Sequence, residues 1–271
     1  MDKIGLIAGY GKLPLIWAKA AQREDVQVHA FPVSEEYTIK LDDYTYTVDY
    51  LSLTELGKLI EKIKDYGIQK IIMLGKVNKK HLFESNDFDQ RFIKLFQNSQ
   101  NFEDHSILKK LVEEFQQEGI EVVKQNLFLD DLLVKEGALN SIKPSPELLE
   151  EMKYAFKKAK DIANLDIGQT ILTKSKAVVA VEALEGTDQA IKRAGHLVNE
   201  GAVMAKVSRR DHDFRFDIPT IGPDTIKNLI SINAAGLVLE TDSILVVERP
   251  EVKEMADQAE LSIISISLKE V

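Results

Sequence analysis

The sequence predicts an α/β protein of two domains, and three features carry that expectation. Over the first 125 residues, short apolar runs alternate with helical patterns at the spacing of strand–helix–strand units. At 271 residues the chain exceeds the roughly 150 residues of a typical domain, and 44% of it is apolar, enough for sizeable cores. The stretch 130–146 turns acidic and then carries Pro144 and Pro146, which discourage regular structure. Read as a linker, it divides the chain into residues 1–134, a parallel sheet with crossover helices, and 135–271, a separate α/β domain.

The elements follow in order. Ile4–Ala8 is an apolar run that stops at Gly9 and Gly11, and Leu13–Glu24 puts Leu13, Ile16, Trp17 and Ala20 at helical spacing. Val26–Phe31 and Thr45–Val48 read as strands. In Thr54–Tyr66, Leu56, Leu59, Ile60 and Ile63 line one helical face, Thr54 stands at the cap position and Gly67 ends the run. Lys70–Leu74 is a buried-type strand running into Gly75. His105–Glu118 is a helix closed by Gly119, and Gly119–Val123 starts the next strand. In the second half, Pro146–Ala163 is a helix, and strands Gln169–Thr173 and Ala177–Ala183 turn through LTKSK. Thr187–Gly195 is a helix with Thr187 as its cap. Strands are expected at Ala202–Val207, Gly236–Leu239 and Ile244–Val247, with a helix over Asp224–Asn233. Ligands of parallel α/β sheets bind beyond the carboxyl ends of the strands, so Gly9–Gly11 and Gly75–Asn78 are expected to line one crevice.

Composition narrows the function. The formal charge of −9, from 35 basic and 44 acidic residues, argues against nucleic acid as the main partner but leaves room for a small phosphate ligand. The chain has no cysteine, so disulfides, thiolate metal sites and cysteine nucleophiles are excluded. No apolar run approaches the roughly 18 residues that span a bilayer, and the N-terminal MDKIGLIAGYGKLP reads as a strand rather than a signal peptide. A cytosolic protein is the simplest expectation. The five histidines, at 29, 81, 105, 196 and 212, show no HxH or HExxH spacing, and no GxSxG elbow is present.

Three segments offer chemistry. Gly9-Tyr10-Gly11-Lys12-Leu13-Pro14 is a glycine turn entering a helix, where free N–H groups suit an anion; a plain tight turn is the alternative. It lacks the third glycine of a dinucleotide fingerprint. Gly75-Lys76-Val77-Asn78-Lys79-Lys80 adds three lysines after a strand end, either as a phosphate contact or as a solvated loop. In the second half, Asp166–Gln169, the acids Glu182, Glu185 and Asp188, and the charged stretch Arg209–Gly222 describe either solvated surface or a site for phosphate and metal. Mg²⁺ needs only one or two carboxylates beside substrate phosphates, and arginine grips phosphate bidentately.

These segments also carry a family resemblance. GYGKLP at the start, GKVN at 75–78, LDIGQ at 165–169, AVEALEGTD at 180–188 and RFDIPTIGPDTI at 215–226 stand in the order found in LpxI-type UDP-2,3-diacylglucosamine pyrophosphatases of Gram-negative lipid A synthesis, and the chain resembles that family from end to end. The resemblance implies a Rossmann-like N-terminal domain and a C-terminal catalytic α/β domain, with the lipid-sugar held between them. It implies a cytoplasmic hydrolase, peripheral to the inner membrane, that uses Mg²⁺ with Mn²⁺ as a substitute. Such an enzyme cuts its acylated UDP-sugar to UMP and 2,3-diacylglucosamine 1-phosphate (lipid X), water attacking the α-phosphorus. Carried onto this chain, Asp217 and Asp188 are the metal carboxylates, and Asp217, Asp188, Lys206 and Arg215 the catalytic set. The substrate-binding candidates are Gly9, Gly11, Lys12, Leu13, Asn78, Gln169, Glu185, Thr187, Arg193 and Thr220. The competing reading of Asp188 is a helix-dipole partner near Thr187. Two positions depart from the family pattern, Asp104-His105 before a leucine-rich helix and His212-Asp213 ahead of Arg215. No nucleic-acid partner is implied, and a homodimer is admitted.

Two other classes stay in view. A non-catalytic nucleotide-sugar or lipid-binding module would bind the substrate without releasing UMP. A nucleotide-dependent oxidoreductase would titrate with NAD(P), although the missing third glycine speaks against it.

Overall fold

The computed structural model describes residues 2–33, 40–52, 54–77, 88–96, 104–210, 212–216 and 218–267. It forms two compact units. The first comprises Met1–Leu129 with Phe214–Phe216, and the second Asp130–Asp213 with Asp217–Val271.

Unit 1 runs β1 (Lys3–Ala8), α1 (Leu13–Arg23), β2 (Gln27–Pro32), β3 (Thr47–Val48), α2 (Leu56–Asp65), β4 (Lys70–Leu74), α3 (Gln90–Phe96), α4 (Asp104–Gln117) and β5 (Glu121–Val122). Its sheet has the order β3-β2-β1-β4-β5, with every pair parallel. After their first exposed residue, β1 and β4 are buried throughout, as strands covered on both faces must be. Chain order reverses between β1 and β4, which makes the ends of these two strands the switch point where such sheets bind ligands. Phe216, although remote in sequence, belongs to the same core as Ile7, Phe31, Leu59, Ile71 and Phe115. Thr54 does not cap α2. The helix starts at Leu56, the Thr54 hydroxyl lies 2.7 Å from Ser52 Oγ, and Asp89 accepts the Gly57 N–H at 2.5 Å. The other oxygen of Asp89 takes the Phe92 N–H (2.7 Å), so one carboxylate serves the starts of α2 and α3.

Unit 2 contributes β6 (Gly137–Ala138), α5 (Pro146–Asn164), β7 (Thr170–Lys174), β8 (Ala177–Val181), α6 (Thr187–Leu197), β9 (Val203–Lys206), β10 (Thr220–Ile221), α7 (Pro223–Ser231), β11 (Gly236–Glu240), β12 (Leu245–Val246), α8 (Arg249–Gln258) and β13 (Ser262–Ile266). A six-stranded mixed sheet has the order β6-β13-β11-β9-β7-β8; β13, β11 and β9 are parallel, while β6, β7 and β8 run antiparallel to their neighbours. The parallel pair β10–β12 lies outside it. Helix α5, capped by the Ser145 hydroxyl on the Leu148 N–H (3.2 Å), packs Met152, Phe156, Ala159 and Ala163 into one apolar cluster with Ile171, Ala205 and Val238. Helices α6, α7 and α8 enclose a second cluster around Met204, Leu237 and Ile263.

The stretch 130–146 is not a free linker. Val134 is fully buried and its N–H bonds to Ile244 O (3.0 Å), and β6 pairs with β13. Asn140, also buried, donates to Asp257 Oδ1 and Leu261 O (both 2.9 Å) and accepts from the Ile263 N–H (3.0 Å). Proline and acidic content forecast irregular backbone there, but that backbone is tied down by bonds to residues more than 100 positions away.

Candidate active-site residues

In unit 1 the two glycine segments do meet. Gly9 and Tyr10 donate their N–H groups to Leu74 O and Lys76 O (both 2.7 Å), and the Lys76 N–H returns to Tyr10 O (2.8 Å). Neither Gly9 nor Gly75 can carry a side chain. A Cβ on Gly9 would lie 2.5 Å from Lys76 O, and one on Gly75, whose φ is +91°, would lie 2.7 Å from Gly9 O. These glycines let two loops touch at the switch point, while Gly11 (φ +107°) turns the chain into α1 with open space where a Cβ would be. Lys12 is exposed at the start of α1, Leu13 is half-buried, and Pro14 occupies the first turn, where its missing N–H costs nothing. Asn78 lies outside the described residues.

In unit 2 one end of the mixed sheet gathers polar groups. Because β7 runs antiparallel to both β8 and β9, the start of β7 meets the ends of the other two, with Thr170 opposite Lys206 and Ile171 opposite Val181. Lys206 is buried, and its Nζ donates to Thr170 Oγ1 (3.0 Å) and Thr187 Oγ1 (2.9 Å) and faces Glu182 Oε2 at 3.7 Å. The Thr187 hydroxyl in turn donates to Glu182 Oε1 (2.7 Å). Thr187 is therefore the first residue of α6 and not its cap, the cap position being Gly186, and its hydroxyl is spent on the Lys206–Glu182 pair. Gln169 accepts the Val207 N–H at its carbonyl (2.9 Å), which fixes the backbone beside Lys206. Gly168 permits the close approach of β8's end, since a Cβ there would stand 2.0 Å from Glu182 O.

The remaining acids and bases of this region have internal partners. Arg193 donates to Glu185 Oε1 (2.6 Å) and Val181 O (2.7 Å). The Glu185 carboxyl is held below the ordinary carboxylate range, first by its own backbone N–H and further by Arg193. Asp188 is exposed in the first turn of α6, where a carboxylate complements the helix dipole, and accepts from Asn228 Nδ2 (2.8 Å). Thr220, in β10, donates its hydroxyl to Ile218 O (3.1 Å). Arg215 is half-buried in Phe214–Phe216, the segment that groups with unit 1. Asp217 lies outside the described residues.

Sequence reasoning missed Thr170 as a partner of Lys206 and, while counting Glu182 among the acids of a candidate phosphate and metal site, did not pair it with Lys206. A threonine at the start of β7, directly ahead of Ile171 and Leu172, was the available signal for the first, and the acid just after β8 for the second. As for a metal, among the described residues no three His, Asp or Glu side chains gather in a way that could hold one. Glu182, Glu185 and Asp188 are each bonded to a neighbouring side chain. Glu185 and Asp188 are exposed, and one or two carboxylates beside substrate phosphates are enough to hold Mg²⁺.

Comparison with known proteins decides the family. The LpxI N-terminal domain matches residues 3–132 and the LpxI C-terminal domain residues 135–264. The chain belongs to the LpxI family. It is 29% identical, over all of its own length and 99% of the relative's, to the UDP-2,3-diacylglucosamine pyrophosphatase LpxI of Caulobacter vibrioides. Solved structures align weakly. The biotin carboxylase domain of a thermophilic 2-oxoglutarate carboxylase gives 12% identity over 65% of this chain and 35% of that one, with a TM-score of 0.28. The N5-carboxyaminoimidazole ribonucleotide synthetase from Thermotoga maritima gives 14% over 68% and 42%, with a TM-score of 0.24. Such scores are too low to indicate a shared fold. Among the described residues of this LpxI chain, no helix is long and apolar enough to cross a membrane.

Proposed function

We propose that this chain hydrolyses the diphosphate of UDP-2,3-diacylglucosamine to UMP and 2,3-diacylglucosamine 1-phosphate (lipid X) in lipid A biosynthesis. The observation that carries the reading is the end-to-end match to the Caulobacter enzyme, across both LpxI domains. The buried cation of Lys206 at the end of β9 supports it, because a preorganised positive charge in a site shielded from water is what a reacting diphosphate requires.

In this reading water attacks the α-phosphorus. A bond forms from the water oxygen to that phosphorus, the bridging P–O bond breaks, and its electron pair leaves on the lipid X phosphate. Lys206 and Arg215 stabilise the oxygens that gain charge, and Arg193 reaches phosphate by exchanging its Glu185 partner. Asp217 is the carboxylate that receives the proton or orients the water. Gly9, Gly11, Lys12, Leu13 and Asn78 hold the nucleotide or sugar phosphate, and Gln169, Glu185, Thr187 and Thr220 complete the binding groups. The Mg²⁺ requirement belongs to the same proposal through Asp217 and Asp188. It is tested separately, by loss of turnover on chelation and recovery with Mg²⁺ or Mn²⁺. An acylated substrate places the work at the cytoplasmic surface of the inner membrane.

Incubating the chain with UDP-2,3-diacylglucosamine and following UMP tests the activity; binding without UMP release refutes it. Hydrolysis in ¹⁸O-labelled water then reports the attacked phosphorus. Label is expected in UMP, and label in lipid X alone would place the attack on the β-phosphorus.

A further inference from the structure

Two residues behind Lys206, the chain is gripped by a buried ion pair that the proposed reaction leaves unused. Lys160, on the apolar face of α5 one turn after Phe156, is buried, and so is Glu240, the last residue of β11. Lys160 Nζ donates to both oxygens of Glu240, at 2.8 and 3.0 Å, and to Ser208 O at 2.7 Å. Glu240 Oε2 also accepts the Ser208 N–H (2.7 Å) and hydroxyl (2.9 Å). Every polar group of Ser208 is thus held by this pair.

The location gives the pair its meaning. The β9–β11 ladder ends where Leu239 stands opposite Lys206. One step further, Val207 still bonds to Gln169 on the β7 side, but on the β11 side the Glu240 carboxylate takes the place of a ladder partner. Immediately beyond, Arg209 pairs with Asp166 (2.8 Å). A buried ion pair is weak as a stabiliser, since desolvating two charges offsets most of their attraction, and its best-attested use is to impose one arrangement of the chain.

We infer that Lys160 and Glu240 are positioning residues for the proposed diphosphate hydrolysis. Acting through Ser208, they fix the exit of β9, and with it the position of the Lys206 ammonium. The inference rests on the function proposed above for its catalytic consequence, but its structural half can be read without any substrate.

The test uses the full-length chain carrying Lys160→Met together with Glu240→Gln. That pair removes both charges and keeps an acceptor for the Ser208 N–H, whereas Lys160→Met alone strands a buried carboxylate and risks misfolding. Three quantities are measured: thermal melting, hydrogen exchange of the peptide spanning 203–210, and kcat and KM for UMP release. The double variant is expected to melt at or above the parent's temperature and to exchange the amides around Ser208 at least about tenfold faster. Its kcat is expected to fall roughly thirtyfold with KM within about threefold. A kcat within about threefold of the parent, or unchanged exchange over 203–210, would overturn the inference. Failure of the parent chain to release UMP would instead overturn the proposed function, and the exchange measurement would still decide whether the pair holds the β9 exit.

Discussion

Gly168→Ala perturbs the polar end of unit 2 without touching any of its charged groups. The new Cβ would stand 2.0 Å from the Glu182 carbonyl oxygen, whereas ordinary contact begins at 3.4 Å. The two backbones must therefore separate by about 1.4 Å, and the obstructing atom is main chain and cannot rotate away. That movement pulls on the Glu182 N–H bond to Thr170 O (2.9 Å) and on the Thr187 bond to Glu182 (2.7 Å), the two contacts that place Lys206's partners. Overpacking of this kind costs roughly 1–3 kcal/mol. With a urea dependence of about 2 kcal/mol per molar, a 2 kcal/mol loss moves the unfolding midpoint by about 1 M. Misplacing catalytic groups by about 1 Å lowers a rate by roughly a hundredfold. Urea unfolding followed by far-UV circular dichroism, alongside UMP release, measures both effects. A midpoint within about 0.2 M of the parent and turnover within about threefold would show that the close approach of Gly168 to Glu182 organises nothing.

Three further outcomes are expected. Asp217→Asn should melt with the parent yet lose nearly all UMP release, each tenfold of rate being about 1.4 kcal/mol of barrier; turnover within about threefold would remove Asp217 from the mechanism. Lys206→Met should abolish turnover and destabilise the chain by about 3 kcal/mol, the low end for breaking a buried pair, because Glu182 keeps the Thr187 hydroxyl; a melting curve equal to the parent's would contradict the buried pairing. In unit 1, Lys64 first and then Arg91 hold the Glu118 carboxyl down to about 2 from an ordinary 4.5. A lowered folded-state value means that this contribution is complete above pH 4.5 and disappears as the pH falls through 2. Glu118→Gln should therefore lose less stability than the parent over that window, and parallel acid-unfolding curves would refute the assignment.

Local pattern was enough to read most of the regular structure. Lys70–Leu74 appears as a strand with the expected bounds, and the helices beginning at Leu13 and Pro146 start where their spacing and prolines put them. The meeting of Gly9 with Gly75 followed from topology, because parallel strands joined by helices bring their carboxyl ends to one edge. The motif residues Thr187 and Lys206 were legible as candidates through family resemblance, and the fold brings those two together.

What the sequence by itself determined is which residues lie on apolar faces, where many of the helices and strands fall, and which loops leave the same edge of a parallel sheet. All of these are set by periodicity and turn chemistry within a few residues. Only the tertiary structure decided how the polar groups are used. Thr54 and Thr187 read as caps, yet the Thr54 hydroxyl pairs with Ser52 and the Thr187 hydroxyl bridges Glu182 and Lys206, and the proline-bearing stretch 130–146 is bound to residues as far away as Asp257 and Ile263. Lys206 finds Thr170 across 36 positions, and Lys160 finds Glu240 across 80. A buried charge has to be matched wherever the chain happens to pass. Its own neighbourhood records that it is out of place on an apolar face, but the identity of its partner is settled only when strands far apart in sequence are laid side by side.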